Sequence, residues 1–247
     1  MSNKHCSSSR YLFLLPLITC LAFPITFVIS YGYSIANKNV NSTGDFPYIS
    51  ETGTKPPESC VFGQLLNIAA VISGLTIYVR YRQTHQAFKH LIPSSSKNNY
   101  RWNTAALVVG MCASLGVSMV GNFQMDNLLI AHYIGAGLAF VLGTVYSWMQ
   151  VYLSYSLLVY MCSRAMFYFR IVCSFITTLF LIGTLVGAQL YQNNNKQVLS
   201  YRLLSTISEW IMALGLAVLF ATFASEFKAT KVEKPRISII QEKLSSR

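Results

Sequence analysis

The chain has 247 residues, 53% of them hydrophobic and 11% charged, with 19 Lys and Arg against 8 Asp and Glu for a net charge of +11. A soluble domain carries about 25% charged residues, so this composition excludes an ordinary soluble protein. The cations fall in the gaps between apolar runs rather than in one patch, which argues against a nucleic-acid partner.

Six apolar stretches cover about 11–35, 60–81, 104–123, 131–155, 168–190 and 203–224. A hydrocarbon core about 30 Å thick takes about 20 helical residues, and a backbone in lipid must satisfy its own hydrogen bonds. The predicted fold is all-α: a polytopic membrane protein forming one six-transmembrane-helix bundle over 1–247, with no soluble domain. The first stretch exceeds a signal-peptide apolar region, lacks an A-x-A cleavage pattern and holds Pro16 and Pro24. It is expected to remain as a helix kinked at Pro24.

The connection 36–59 is rich in Asn, Ser, Thr, Gly and Pro, and Asn41-Ser42-Thr43 is an acceptor sequon, making Asn41 a glycosylation candidate. Pro47, Pro56 and Pro57 stiffen this connection and Gly53 permits a turn, with Tyr48, Ile49 and Ser50 between them. Glu58 and Ser59 head the second span, where a carboxylate and a hydroxyl can cap open N–H groups. The segment reads as a lid on the helix mouth. Next, 82–103 reads as a flexible basic loop around Arg82, His85, Lys89, His90 and Lys97.

Small residues recur every fourth position in the third span (Ala106, Gly110, Ser114, Ser118, Asn122) and the fourth (Ala131, Gly135, Ala139, Gly143, Ser147). Lipid gives helices no hydrophobic reason to associate, so such ridges join them, and these two spans should form a tight hairpin. Gly183 and Gly187 mark the fifth span, and Ala213, Ala217 and Ala221 the sixth. The tail 225–247 is basic: Lys228, Lys231, Lys234 and Arg236 are candidate contacts for anionic lipid headgroups, each worth about 1 kcal/mol near an acidic leaflet.

With both termini cytosolic, every Lys and Arg except Lys38, Lys55, Lys196 and Arg202 lies on the cytosolic side, so the positive-inside rule predicts that orientation. Cys20, Cys112 and Cys173 fall within spans, and Cys60 alone points outward, so no disulfide staples the outer loops. Cys162, beside the membrane, is a palmitoylation candidate, with a plain reduced thiol as the simpler reading.

Glu209 is the one acidic residue well inside a predicted span. The topology places Asn122, Gln124, His132, Gln189 and Glu209 in one luminal polar layer, a candidate site. There Glu209 and His132 could pair and respond to an acidic lumen. Interhelical hydrogen bonds are the structural alternative. The mid-membrane is apolar, with Gln150 isolated towards the inner side, which argues against an ion or small-molecule carrier. The sequence holds no paired carboxylates, metal-ligand spacing, phosphate-binding loop or nucleophile elbow, so a non-enzyme with no cofactor is expected.

Phe46-Pro47-Tyr48-Ile49-Ser50-Glu51-Thr52-Gly53, then Pro56-Pro57-Glu58-Ser59-Cys60-Val61-Phe62, resembles the outer-loop signature of the damage-regulated autophagy modulator family. Gly121-Asn122-Phe123-Gln124, His132-Tyr133-Ile134-Gly135-Ala136-Gly137 and Glu209-Trp210 match in the same order, over essentially all six spans. The resemblance implies a regulator of autophagy, and of cell death, in lysosomal or endosomal membranes. A transmembrane protein 150 branch of the same six-span group implies instead a plasma-membrane scaffold for phosphoinositide synthesis or a modulator of a channel. The family carries no catalytic residues over, and its regulatory protein partners are not specified by these motifs.

Overall fold

The computed structural model describes residues 11–40, 45–92, 96–158 and 160–231. Asn41, Lys234 and Arg236 therefore lie outside the described residues. Six helices are long and apolar enough to cross a membrane: α1 (Leu14–Ala36), α2 (Glu58–His90), α3 (Lys97–Asn122), α4 (Leu129–Ser156), α5 (Arg164–Asn193) and α6 (Leu199–Lys228). Large apolar side chains such as Leu21, Val28, Val71, Leu115, Val172 and Leu185 stand on the outside, as lipid-facing residues do. Consecutive helices are neighbours, and α6 closes the ring against α1. The first and last described residues thus share one end, here the terminal end, while the 45–57 segment covers the other, the loop end.

Two boundaries depart from the sequence reading, and one helix holds an irregular turn. The 82–103 segment is not a loop throughout, since α2 continues to His90 and α3 begins at Lys97. Aromatic packing explains the extension: Tyr100 lies against His85 and Phe88, with ring centroids 5.2 and 5.7 Å away. Ser96 caps α3 by accepting a bond from the Asn98 amide at 3.1 Å. Within its length α4 carries a π-helical turn over Leu138–Leu142, a local widening that often accompanies a site. At the second boundary, α6 turns at Thr222 and Phe223 before a last helical turn, Ala224–Lys228, in which Glu226 and Phe227 are buried. The start of the supposed basic tail therefore belongs to the core.

Small residues join the bundle, though not always on the expected side. A Cβ on Gly116 of α3 would sit 2.5 Å from the Ala139 backbone N and 2.6 Å from the Gly135 carbonyl O of α4. One on Gly135 would meet Met119 Cβ at 2.7 Å. The α3–α4 hairpin is thus tight, as expected. The ridge containing Ser114 and Ser118, however, faces α2: Ser73 and Ser114 share a 3.0 Å bond, and Ser118 donates to Asn67 at 2.6 Å. Gly183 and Gly187 of α5 approach Ser208 and Ser205 of α6. At the bundle centre Phe23, Phe27, Phe62, Ile77 and Phe140 surround a narrow slot of about 90 Å³.

Candidate functional site

The lid is folded and tied down. Ile49, Ser50 and Thr52 are buried, and Ser50–Gly53 forms a 3₁₀ turn. Ser30 of α1 donates to the Thr52 carbonyl O at 2.8 Å, and Trp210 Nε1 of α6 donates to the Pro47 carbonyl O at 3.0 Å. Arg202 of α6 gives two bonds to Glu51, at 2.8 and 3.2 Å, pairs with Asp45, and lies over the Tyr48 ring. Gly53 is obligatory by space: a Cβ there would meet the Phe62 side chain at 2.3–2.8 Å. Glu58 and Ser59 are buried, but neither caps α2, whose N-cap residue is Pro57 with no side-chain bond. Glu58 instead accepts bonds from Asn37 and Asn39, holding the other end of the connection. Pro56 and Pro57 stay exposed. Burial raises the Tyr48 phenol above its usual pKa, keeping that hydroxyl protonated beside Ser205.

Beneath the lid a cavity of about 470 Å³ opens between α4, α5 and α6. Its α5 wall runs Leu181, Thr184, Leu185, Ala188, Tyr191 and Gln192, one helical face about 17 Å long at 1.5 Å per residue. Opposite stand His132, Tyr133, Ala136, Phe140 and Val141 of α4. The cleft exists because the loop-end half of α4, Leu129–Gly137, packs along α3 rather than α5 or α6. Glu209 faces the cleft from α6, ten residues or about 15 Å below Leu199. Its carboxyl lies under the lid close to the Ile49 backbone, and Oε2 is buried with no partner.

The five residues expected in one polar layer separate. His132 and Glu209 line the same cleft but do not bond to each other, since His132 Nδ1 lies 2.7 Å from the Phe123 carbonyl O. Asn122 joins Asn67 at 2.9 and 3.1 Å on the α2–α3 seam. Gln124 accepts from Asn127 in the α3–α4 turn, and exposed Gln189 donates to Asn193. Tyr48, Glu51 and Arg202 complete the cleft mouth; of these, Glu51 and Arg202 carried no site assignment from sequence.

A second polar centre, unforeseen, lies at the terminal end. Arg170 of α5 gives paired bonds to Glu226 of α6 (3.0 and 2.5 Å), and Arg80 Nη1 of α2 lies 3.3 Å from the same carboxylate. Arg80 Nε donates to Gln150 Oε1 of α4 at 3.2 Å, and Arg170 donates to Ser154 and Thr222. All three charged side chains are at most 3% exposed. Both guanidiniums lie over the Phe223 ring, 5.0 and 4.9 Å from its centroid. Gln150 is therefore not isolated, and Glu209 is not the only buried acid in the spans. Cys162 is buried against Arg170, 3.6 Å from Nη1, and burial raises its thiol pKa. That is a protonated interior thiol, not one presented for acylation. Lys228 and Lys231 are exposed at this end. Among the described residues no cluster of His, Cys, Asp and Glu could hold a metal ion.

Residues 11–230 match the family model described as Frag1/DRAM/Sfk1/Cwh43P N-terminal domain. The chain is similar to rat DNA damage-regulated autophagy modulator protein 2, 36% identical over 217 residues, covering 82% of this chain and 79% of that protein. It is also similar to Modulator of macroautophagy TMEM150B of Xenopus tropicalis, 35% identical over 214 residues, 87% of this chain and 85% of that one. The human DNA damage-regulated autophagy modulator protein 2 is 33% identical over 218 residues. No solved structure matches.

Proposed function

The chain belongs to the Frag1/DRAM/Sfk1/Cwh43P family, and from that premise we propose that it is a non-enzymatic membrane regulator of autophagy working in the endolysosomal system. The observation that carries this reading is the span of the likeness: relatives named as autophagy modulators match more than four fifths of the chain, and the family model covers the lid and all six helices. The architecture supports it, since nearly all the described residues belong to the bundle or the tied loop. Partners are then met at the terminal end, where Lys228 and Lys231 stand free of the core on the side we assign to the cytosol. The test is imaging of the tagged chain in living cells against lysosomal and plasma-membrane markers, with autophagic flux measured in its presence and absence. Lysosomal signal and altered flux are expected; surface signal with unchanged flux overturns the reading.

The same exposed lysines support a second reading, a plasma-membrane scaffold for phosphoinositide synthesis. Neutralising Lys228, Lys231, Lys234 and Arg236 then lowers phosphoinositide levels, and unchanged levels count against it.

A further inference from the structure

The cleft under the lid has the form of a site open sideways to lipid. Tyr133 and Val141 of α4 and Leu185 of α5 line it and are large apolar side chains left exposed, so the cleft is not sealed at this wall. Its volume falls in the range of small-molecule sites, about 300–1,000 Å³. Its walls are mostly apolar, and Glu209, which stands between this cleft and the central slot and is only 6% exposed, carries an unsatisfied oxygen, Oε2. A buried carboxylate oxygen without a donor is costly, and a ligand supplying one relieves that cost.

The charges at the mouth narrow the ligand further. Two cations line the mouth: Arg202 is matched by Glu51 and Asp45, and Lys196 is exposed at the rim, so neither marks the buried depth as a phosphate site. Ser205 donates its hydroxyl to the Thr184 carbonyl O at 2.7 Å, so it does not satisfy Glu209 either. What the depth of the cleft lacks is a donor, and what its walls offer is apolar surface.

We propose that the cleft between α4, α5 and α6 binds a membrane amphiphile, its apolar body against the α4 and α5 walls and a hydroxyl or ammonium in its head donating to Glu209. A sterol and a long-chain amine both present that chemistry. The ligand enters laterally from the loop-end leaflet, and the lid, whose Tyr48, Ser50 and Glu51 line the cleft, closes above its head. This assignment stands apart from the role in autophagy, and its test does not measure autophagy.

The test uses the full chain in phosphatidylcholine vesicles with three photoactivatable probes: a cholesterol analogue, sphingosine and a fatty acid. Labelling by the cholesterol or sphingosine probe is expected in peptides spanning 133–141 and 181–188, competed by the unlabelled lipid. Glu209→Leu, which removes the acceptor, is expected to cut that labelling about tenfold, the loss of one charged hydrogen bond. Ala188→Phe fills the cleft and leaves Glu209 in place, so it tests the site even where Glu209→Leu fails to fold. Glu209→Gln separates the sources: its carbonyl still accepts from a sterol hydroxyl, whereas an ammonium loses its countercharge. Labelling elsewhere in the chain, labelling unchanged in both Glu209→Leu and Ala188→Phe, or equal labelling of the cleft by the fatty acid overturns the proposal.

Discussion

Arg202 is a residue whose role depends on what lies far from it in sequence. Alone it is an outward cation at the start of a span; in the fold it gathers Asp45, Glu51 and the rings of Tyr48 and Tyr191 into one latch. The Arg202 side chain is 15% exposed and the Asp45 one 49%, so solvent screens much of that pairing, and its value is about 1 kcal/mol. Arg202→Ala should therefore leave the helices intact and raise hydrogen exchange of the 47–53 amides about fivefold; unchanged exchange there would show that Trp210 and Ser30 hold the lid unaided. Gly53→Ala acts more strongly, because its methyl group overlaps Phe62, and a loss of about 1–3 kcal/mol in thermal unfolding is expected. Glu209 was legible in the sequence, as an acid within an apolar run is costly and hence conspicuous. His132 stood out too, yet spacing along separate helices says nothing of which carbonyl a ring nitrogen will find, and it found Phe123.

At the scale of elements, α6 shows where hydropathy stops informing. Glu226 follows the apolar run and precedes Lys228 and Lys231, so by composition it belongs to a tail; the turn at Thr222 and Phe223 swings it inward between Arg80 and Arg170. That turn is a backbone event with no proline or glycine to announce it. The ion cluster links α2, α4, α5 and α6, and removing its one carboxylate leaves two buried guanidiniums uncompensated. Glu226→Ala should cost about 3–5 kcal/mol by thermal or denaturant unfolding of the purified protein. Replacing all three charged residues together by Met and Leu should recover most of that loss; if it does not, the cluster contributes more than charge cancellation. The ridges of α3 teach the companion lesson. Small residues every fourth position identify a packing face, but α3 is small on two faces, and only the fold shows that Ser114 meets α2 while Gly116 meets α4. Gly116→Ala is accordingly expected to disrupt the α3–α4 hairpin, whereas Ser114→Ala should lose one hydrogen bond worth about 1 kcal/mol or less.

For the whole molecule, six helices were readable from length and apolarity, since a bilayer allows little else. Orientation rests on charge, and the structure changes how that charge is counted. Arg80 and Arg170 are interior residues bound to Glu226, so they belong to the core rather than to the cytosolic loops. On the opposite side Arg202 is neutralised by Glu51 and Asp45. Among the described residues the remaining bias still concentrates at the terminal end, in Arg82, Lys89, Lys97, Arg101, Arg164, Lys228 and Lys231. The loop end should therefore face the lumen or cell exterior, the compartment in which sequons are glycosylated. Protein expressed in animal cells is expected to shift in mobility on glycosidase treatment, and Asn41→Gln should abolish that shift. A tag after Arg247 should in turn be digested by protease only once the membrane is permeabilised. A tag cleaved from outside intact cells, with no glycan on Asn41, would invert the molecule, placing the cleft in the cytosolic leaflet and the basic end in the lumen.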